Sequence, residues 1–119
     1  MRENLPQRKK IHPYTKMLES ANLAIIVCAD VNLQTGVSKG FFPQDCAAAT
    51  QNMLLQSTEL NLGTCWCGIY PKEKLVESFR EMFELEENII PFDVIAIGVP
   101  NEEFGSRGFY EEGKVKWID

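Results

Sequence analysis

The stretch Leu60–Pro71, "LNLGTCWCGIYP", decides how the rest of the chain is interpreted. It places Cys65 and Cys67 one residue apart around Trp66, between two glycines and directly after an apolar, helix-like run. Three interpretations are open at this point. The two cysteines bind a metal ion, or they form a redox pair, or they only pack within a strand whose backbone is the functional part.

Spacing favours the third interpretation. Zinc knuckles usually separate their cysteines by two to four residues, and a thioredoxin-like pair needs Cys-x-x-Cys at a helix N-terminus. In a strand, Cys65 and Cys67 point to one face and Trp66 to the other. A four-cysteine site would also need Cys28 and Cys46, which lie in two other predicted elements. We therefore predict no metal site. Gly63 and Gly68 are instead expected to let a flat ligand approach the backbone of the strand closely.

Composition and charge describe one globular domain over residues 1–119, whose residues 1–16 form a divergent, basic N-terminal segment. The chain is 45% hydrophobic and 24% charged, as is ordinary for such a domain. Its net charge of -5 argues against a nucleic-acid partner. No apolar run reaches the length of a membrane span, no signal peptide is visible, and four cysteines form no disulfide framework. We expect a soluble, cytoplasmic protein.

Hydrophobic patterning predicts strands and helices in alternation, and hence an α+β fold. The predicted elements are a strand buried on both faces at Leu23–Asp30, a long helix within Gln44–Gly63, a short strand at Thr64–Ile69, an amphipathic helix within Pro71–Leu85 and a buried strand within Pro91–Pro100. A short helix beginning at Pro13 is also expected.

Two features predict that the chain is buried against a second subunit. The long helix is apolar on several sides, with Met53 and Leu54 on one side and Leu55 on another. The C-terminal tail is rich in aromatic side chains that need a surface to pack on, in the same subunit or in a partner. These side chains are Phe104, Phe109, Tyr110 and Trp117.

Residues that could form a catalytic cluster are scarce. His12 is the single histidine, so a Ser-His-acid or Cys-His arrangement would have to recruit it from the basic N-terminal segment. The acidic residues of the amphipathic helix are predicted to form its solvated face. No glycine-rich nucleotide loop is present.

The order of motifs resembles the flavin-dependent nitroreductase family. An aspartate before small residues leads to Gln-Asn-Met-Leu-Leu, and then to Leu-Gly-x-Cys-Trp-x-Gly with a proline soon after. An amphipathic helix follows, and then Pro-x-x-x-Ile-x-Ile-Gly-x-Pro. The similarity extends from about Met17 to Asp119. It implies a nitroreductase-like mixed sheet packed with helices, in an intertwined homodimer.

The resemblance also implies a function and a site. Hydride would pass from NAD(P)H through N5 of an interfacial FMN to a nitro compound, a quinone or a similar small-molecule acceptor. No side chain would be catalytic. Trp66, Cys67, Gly68 and Ile69 match the segment whose backbone lies along the flavin ring, and Arg107 matches the residue that pairs with the FMN phosphate.

Two family motifs have no counterpart here. They are an Arg-x-Ser-x-Arg type motif in an N-terminal helix and a Pro-Ser-x-x-Asn-x-Gln-Pro type loop. The chain therefore resembles the C-terminal two thirds of a nitroreductase and is expected to be N-terminally truncated. The alternative function is that of a flavin-free, non-catalytic dimer or interaction module.

Overall fold

The chain forms a three-stranded sheet with one helix packed on each face. The computed structural model describes residues 16–103, 105–106 and 108–118. Its elements are β1 (Leu23–Asp30), α1 (Phe42–Glu59), β2 (Gly63–Gly68), α2 (Glu73–Phe83) and β3 (Ile89–Gly98), with 3-10 helices at Lys16–Glu19, Val31–Leu33 and Glu112–Lys114. The predicted α+β class is confirmed. Neither α1 nor α2 is long and apolar enough to cross a lipid bilayer, and the described residues contain no other α-helix.

The last strand in the chain, β3, is the centre of the sheet. The strand order is β1-β3-β2, and both pairings are antiparallel. The predicted mixed sheet is thus an antiparallel one in the described part of the chain. Residues 91–97 are buried without interruption because β3 has a strand on each side and a helix over each face.

Strand β1 has the predicted bounds but not the predicted burial. Only Ala29 is fully buried in it, and Leu23 is 53% exposed. The continuous apolar sequence predicts burial on both faces, whereas β1 lies at an edge of the described sheet and pairs with β3 alone. An edge strand is covered on fewer sides than a central one, whatever its hydrophobicity.

One face of the sheet packs against α2 through an apolar core. Phe79 of α2 is 1% exposed and contacts a cluster that includes Ile69, Val94 and Ala96. Leu75, Val76 and Phe83 of the same helix pack around that cluster. The acidic residues Glu73, Glu77, Glu81 and Glu84 are all exposed. The predicted amphipathic helix and its solvated acidic face are confirmed.

The opposite face packs against α1 along a single stripe. Cys46, Thr50 and Ser57 are buried, while Ala48 is exposed and Leu55 is 60% exposed. Within one chain α1 is therefore buried on one side, and the burial of its other sides against a second subunit stays a prediction. The reason is geometric, since a helix lying on a sheet can bury only the side that faces it.

The C-terminal tail does not pack on its own chain at most of its aromatic positions. Phe109 is 88% exposed and Trp117 is 86% exposed, and Tyr110 is also largely exposed. Phe104, the predicted helix beginning at Pro13 and residues 1–15 as a whole lie outside the described residues.

Arg80 connects α2 to the beginning of the central strand. Its guanidinium group donates hydrogen bonds to the backbone carbonyls of Glu87 and Ile89. Both carbonyls lie in or beside the connection that leads into β3, so one side chain fixes where the helix stands relative to the sheet.

We expect Arg80→Ala to lower the free energy of unfolding by about 2 kcal/mol, because hydrogen bonds from a charged donor are lost and carbonyls are left unpaired. Urea denaturation followed by circular dichroism measures this change. Lys74→Ala, at an exposed position of the same helix, is the control and should stay within about 0.5 kcal/mol of the wild type. Equal effects of the two substitutions would contradict the role given to Arg80.

Candidate functional site

The predicted site segment Trp66–Ile69 lies at the end of edge strand β2. Cys67 is 3% exposed and Ile69 is fully buried in the core beneath α2, whereas Trp66 is 37% exposed. Gly68 is also exposed. The segment therefore alternates as the sequence predicts, with the cysteine side chains inward on one face and Trp66 on the other.

Phe92 on β3 holds this segment in place. Its backbone carbonyl accepts hydrogen bonds from the N–H groups of both Ile69, at 3.0 Å, and Tyr70, at 2.9 Å. Its ring lies 6.4 Å from that of Trp66 and stacks on that of Tyr70 at 6.3 Å. The first residue of α1 extends this aromatic group, because Phe42 packs edge-on against Tyr70 at 5.1 Å.

The two glycines that flank the strand have different roles. A Cβ atom added at Gly63 would lie 3.2 Å from Cβ of Pro100, so close packing within the chain accounts for that glycine. A Cβ atom added at Gly68 would meet nothing within 4 Å. Gly68 stands between Trp66 and Tyr70 in the sequence, and both of these aromatic residues are 37% exposed. The position that a side chain would occupy at Gly68 is thus an open gap, in a segment whose two aromatic residues are partly exposed.

The thiols of β2 are packing groups. Cys65 and Cys67 are hydrogen-bonded to each other, and burial is the main cause that raises the pKa of Cys67 to about 12, with Cys65 as the next contributor. Such a thiol is almost entirely protonated at neutral pH and is a poor metal ligand and nucleophile. Within residues 16–103, 105–106 and 108–118, no three metal-ligating side chains come together.

Asp93 is a buried acid that the sequence analysis missed. It is fully buried on β3, directly opposite Gly68 in the antiparallel ladder. Thr50 of α1 donates a 2.7 Å hydrogen bond to its Oδ2 atom. Burial raises the pKa of Asp93, and the hydrogen bond from Thr50 partly opposes this rise. The available signal was a single carboxylate inside the otherwise apolar strand "PFDVIAIG".

Arg107, the predicted phosphate-binding residue, lies outside the described residues. The structure thus brings together Trp66, Cys67, Gly68 and Ile69 and leaves the position of Arg107 as a prediction.

Comparison with known proteins identifies the family. Residues 4–99 match the Nitroreductase family. The chain belongs to the nitroreductase family.

Individual relatives agree with this assignment. A protein of Methanothermobacter thermautotrophicus, provisionally named NADH dehydrogenase/NAD(P)H nitroreductase, is 42% identical over 98% of this chain and 61% of its own length. A crystal structure of a protein with the same provisional name from Bacteroides thetaiotaomicron is 36% identical and superposes with a TM-score of 0.88, over 98% of this chain and 67% of that one.

Structures of lower sequence identity share the fold. An FMN-dependent nitroreductase from Clostridium difficile is 22% identical and has a TM-score of 0.84, over all of this chain and 71% of that one. At this identity the likeness shows the fold alone. The chain spans 61% of the length of the curated relative described above. The nitroreductase-like fold that the motifs predict is confirmed.

We expect Cys67 to resist alkylation by iodoacetamide in the native protein at about pH 8, because a thiol with a pKa near 12 is on the order of 0.01% ionised there. Mass spectrometry of peptides, taken at intervals, measures the labelling of each cysteine. The exposed Cys28 is the internal comparison and should be labelled earlier. Labelling of Cys67 at the rate of Cys28 would contradict the packing role, and unfolding in guanidinium should make both reactive.

Proposed function

We propose that this chain is an FMN-binding oxidoreductase of the nitroreductase family, which uses NAD(P)H to reduce a small-molecule acceptor. The observation that carries the proposal is the open space at Gly68, in a segment whose aromatic residues Trp66 and Tyr70 are both 37% exposed. The Clostridium difficile protein with the same fold is FMN-dependent, and the Methanothermobacter relative is provisionally named an NAD(P)H nitroreductase.

An open glycine close to aromatic side chains in the chain suits the flat ring of a flavin. Glycine leaves the peptide groups of the strand open to close approach, and aromatic side chains beside it offer apolar contact. Strand β2 has a neighbour on one side only in the described sheet, so its outer edge faces away from β3. Peptide groups at such an edge can bind the polar rim of a heterocycle.

Each residue of the segment has a defined role in this proposal. Gly68 provides the space, and Trp66 covers one side of the gap. The buried side chains of Cys67 and Ile69 anchor the backbone to the core beneath α2, so that its outer surface stays in place. A bound flavin supplies hydride acceptance and donation, which the protein's own side chains cannot perform.

We assign the phosphate of FMN to Arg107. A guanidinium group binds phosphate through paired, parallel N–H donors. The motif match of the tail is the support for this assignment.

We also propose that two chains form a homodimer. The outer side of α1, which includes the exposed Leu55, and the exposed Phe109 and Trp117 of the tail are apolar surfaces of the kind that a second subunit covers. A cytoplasmic location is part of the proposal, because all four cysteines are free thiols.

We expect purified protein mixed with FMN to quench the fluorescence of the flavin in a saturable titration. A yellow protein that retains flavin after gel filtration would agree with this. Protein that takes up no FMN would contradict the proposal and favour the flavin-free, non-catalytic alternative.

Substitutions at Gly68 and Arg107, measured in the same FMN titration, test where the flavin binds. Gly68→Ala should weaken FMN binding by about tenfold or more, because its methyl group fills the gap, while stability stays unchanged or rises slightly. Gly63→Ala, at the other end of β2, is the matched control. Its methyl group would crowd Pro100, so it should lower stability without a comparable loss of FMN affinity.

Arg107→Ala should weaken FMN binding but not riboflavin binding, since riboflavin lacks the phosphate.

We expect light scattering at micromolar concentration to give twice the mass of one chain. Leu55→Glu, which places a charge on the exposed side of α1, should shift the equilibrium toward one chain. Lys74→Glu on α2 provides a matched charge change away from that surface. A wild-type mass equal to one chain would contradict the dimer and leave the FMN titration as an independent result.

A further inference from the structure

A buried polar contact joins α1 to the central strand behind the proposed flavin site. Thr50 and Asp93 are both fully buried, and the hydroxyl Oγ1 donates to Oδ2 of the carboxyl group over 2.7 Å. The other oxygen, Oδ1, receives a hydrogen bond from no described residue. A buried, half-paired carboxyl group is a poor source of stability compared with an apolar pair of similar volume. Its presence calls for a role other than stability.

The position of Asp93 indicates that role. Directly opposed residues in an antiparallel ladder place their side chains on the same face, with Cβ atoms about 5 Å apart. Asp93 opposes Gly68, so it stands beside the gap that the missing side chain leaves. Asp93 also follows Phe92, whose carbonyl binds the N–H groups of Ile69 and Tyr70. Any displacement of Asp93 is therefore transmitted directly to the site segment.

We propose that Thr50 and Asp93 are positioning residues for the flavin site. Their hydrogen bond fixes α1 against the strand that carries the partner of Gly68, and thereby sets the position of Gly68 and of the Trp66 and Tyr70 side chains near it. This inference rests on the proposed function for the identity of the ligand, but it concerns the geometry of this chain.

Helix α1 contacts the site at two separated points. Phe42, at its beginning, packs edge-on against Tyr70. Thr50 follows eight residues later, which is about 12 Å along the helix. These two contacts add to the buried stripe of α1 that packs on the sheet. Without the Thr50 hydrogen bond, α1 loses its polar contact with the strand that opposes Gly68 and keeps the aromatic contact of Phe42 with Tyr70.

No described cation balances the carboxyl group. The titratable groups that interact with Asp93 are thiols, namely those of Cys28 on β1, Cys46 on α1 and Cys67 on β2. Thr50 is the described hydrogen-bond donor to this carboxyl group, in surroundings of low polarity. A hydrogen bond in such surroundings is strong and strict in its geometry.

Substitutions at Thr50 test the inference through FMN affinity. Thr50→Val keeps the shape and removes the hydroxyl group, and we expect it to raise the dissociation constant of FMN about tenfold. Thr50→Ser restores the donor and should bring the affinity back to within about twofold of the wild type. Ser57→Ala is the matched control, because Ser57 carries a second buried hydroxyl group of α1, which donates to the Met53 carbonyl of its own helix. It should leave the affinity unchanged.

A second measurement needs no flavin and tests the same geometry. In a Trp117→Phe background Trp66 is the remaining tryptophan, and acrylamide quenching of its fluorescence reports its accessibility. We expect Thr50→Val to raise the quenching constant roughly 1.5-fold, and Thr50→Ser and Ser57→Ala to leave it near the reference value. Denaturation curves confirm that each variant is folded under the conditions of the measurement.

The outcomes separate the two proposals. Wild-type protein that binds no FMN contradicts the proposed function, and the quenching series still decides the positioning role. Wild-type protein that binds FMN, together with a folded Thr50→Val variant that matches it in affinity and quenching, overturns the positioning role alone. If Thr50→Val does not fold, Asp93→Ala replaces it, because it also removes the hydrogen bond and is expected to lower the affinity and raise the quenching constant. Asp93→Asn keeps an acceptor for Thr50 and is its control, with both values expected within about twofold of the wild type. Equal behaviour of a folded Asp93→Ala variant and the wild type would overturn the positioning role.

Discussion

The geometry of the site depends on the backbone carbonyl of Phe92. Because it accepts the N–H groups of two consecutive residues, Ile69 and Tyr70, the chain turns away from the sheet directly after Gly68. The ring of the same residue contacts Trp66 and Tyr70, so one residue of the central strand determines both the path of the backbone and the side chains beside it. Buried backbone acceptors of this kind tolerate little displacement, since an unpaired donor inside a protein is costly.

The two faces of the sheet differ in packing and polarity. The face beneath α2 is apolar and closed, with Phe79, Ile69 and Cys67 almost inaccessible, and it provides the rigid support. The face beneath α1 carries the polar pair, the aromatic rings and the open position at Gly68. A site built in this way has its accessible groups on one side of a strand whose other side is fixed by packing.

Local sequence predicts the elements well and their surroundings poorly. The bounds of β1 follow from a run of branched apolar residues, and the alternation of Cys65, Trp66 and Cys67 follows from the period of a strand. Burial depends instead on neighbours in space, so the sequence could not show that β1 is an edge strand. Asp93 illustrates the same limit. Its isolation within an apolar strand is visible in the sequence, but its partner Thr50 lies 43 residues away and is found only in three dimensions.

The exposed surfaces of the chain are more extensive than one flavin can cover. A flavin ring bound at Gly68 would cover Trp66 and Tyr70 but not all of the other exposed apolar side chains. The outer side of α1 and the aromatic residues of the tail belong to that remainder, and Trp117 is 86% exposed. Strand β2 also presents an outer edge that hydrogen-bonds to no other strand in the described sheet, which is a surface that proteins usually cover. The proposed cofactor and the proposed second subunit would therefore cover different parts of the surface, so a test of one does not decide the other.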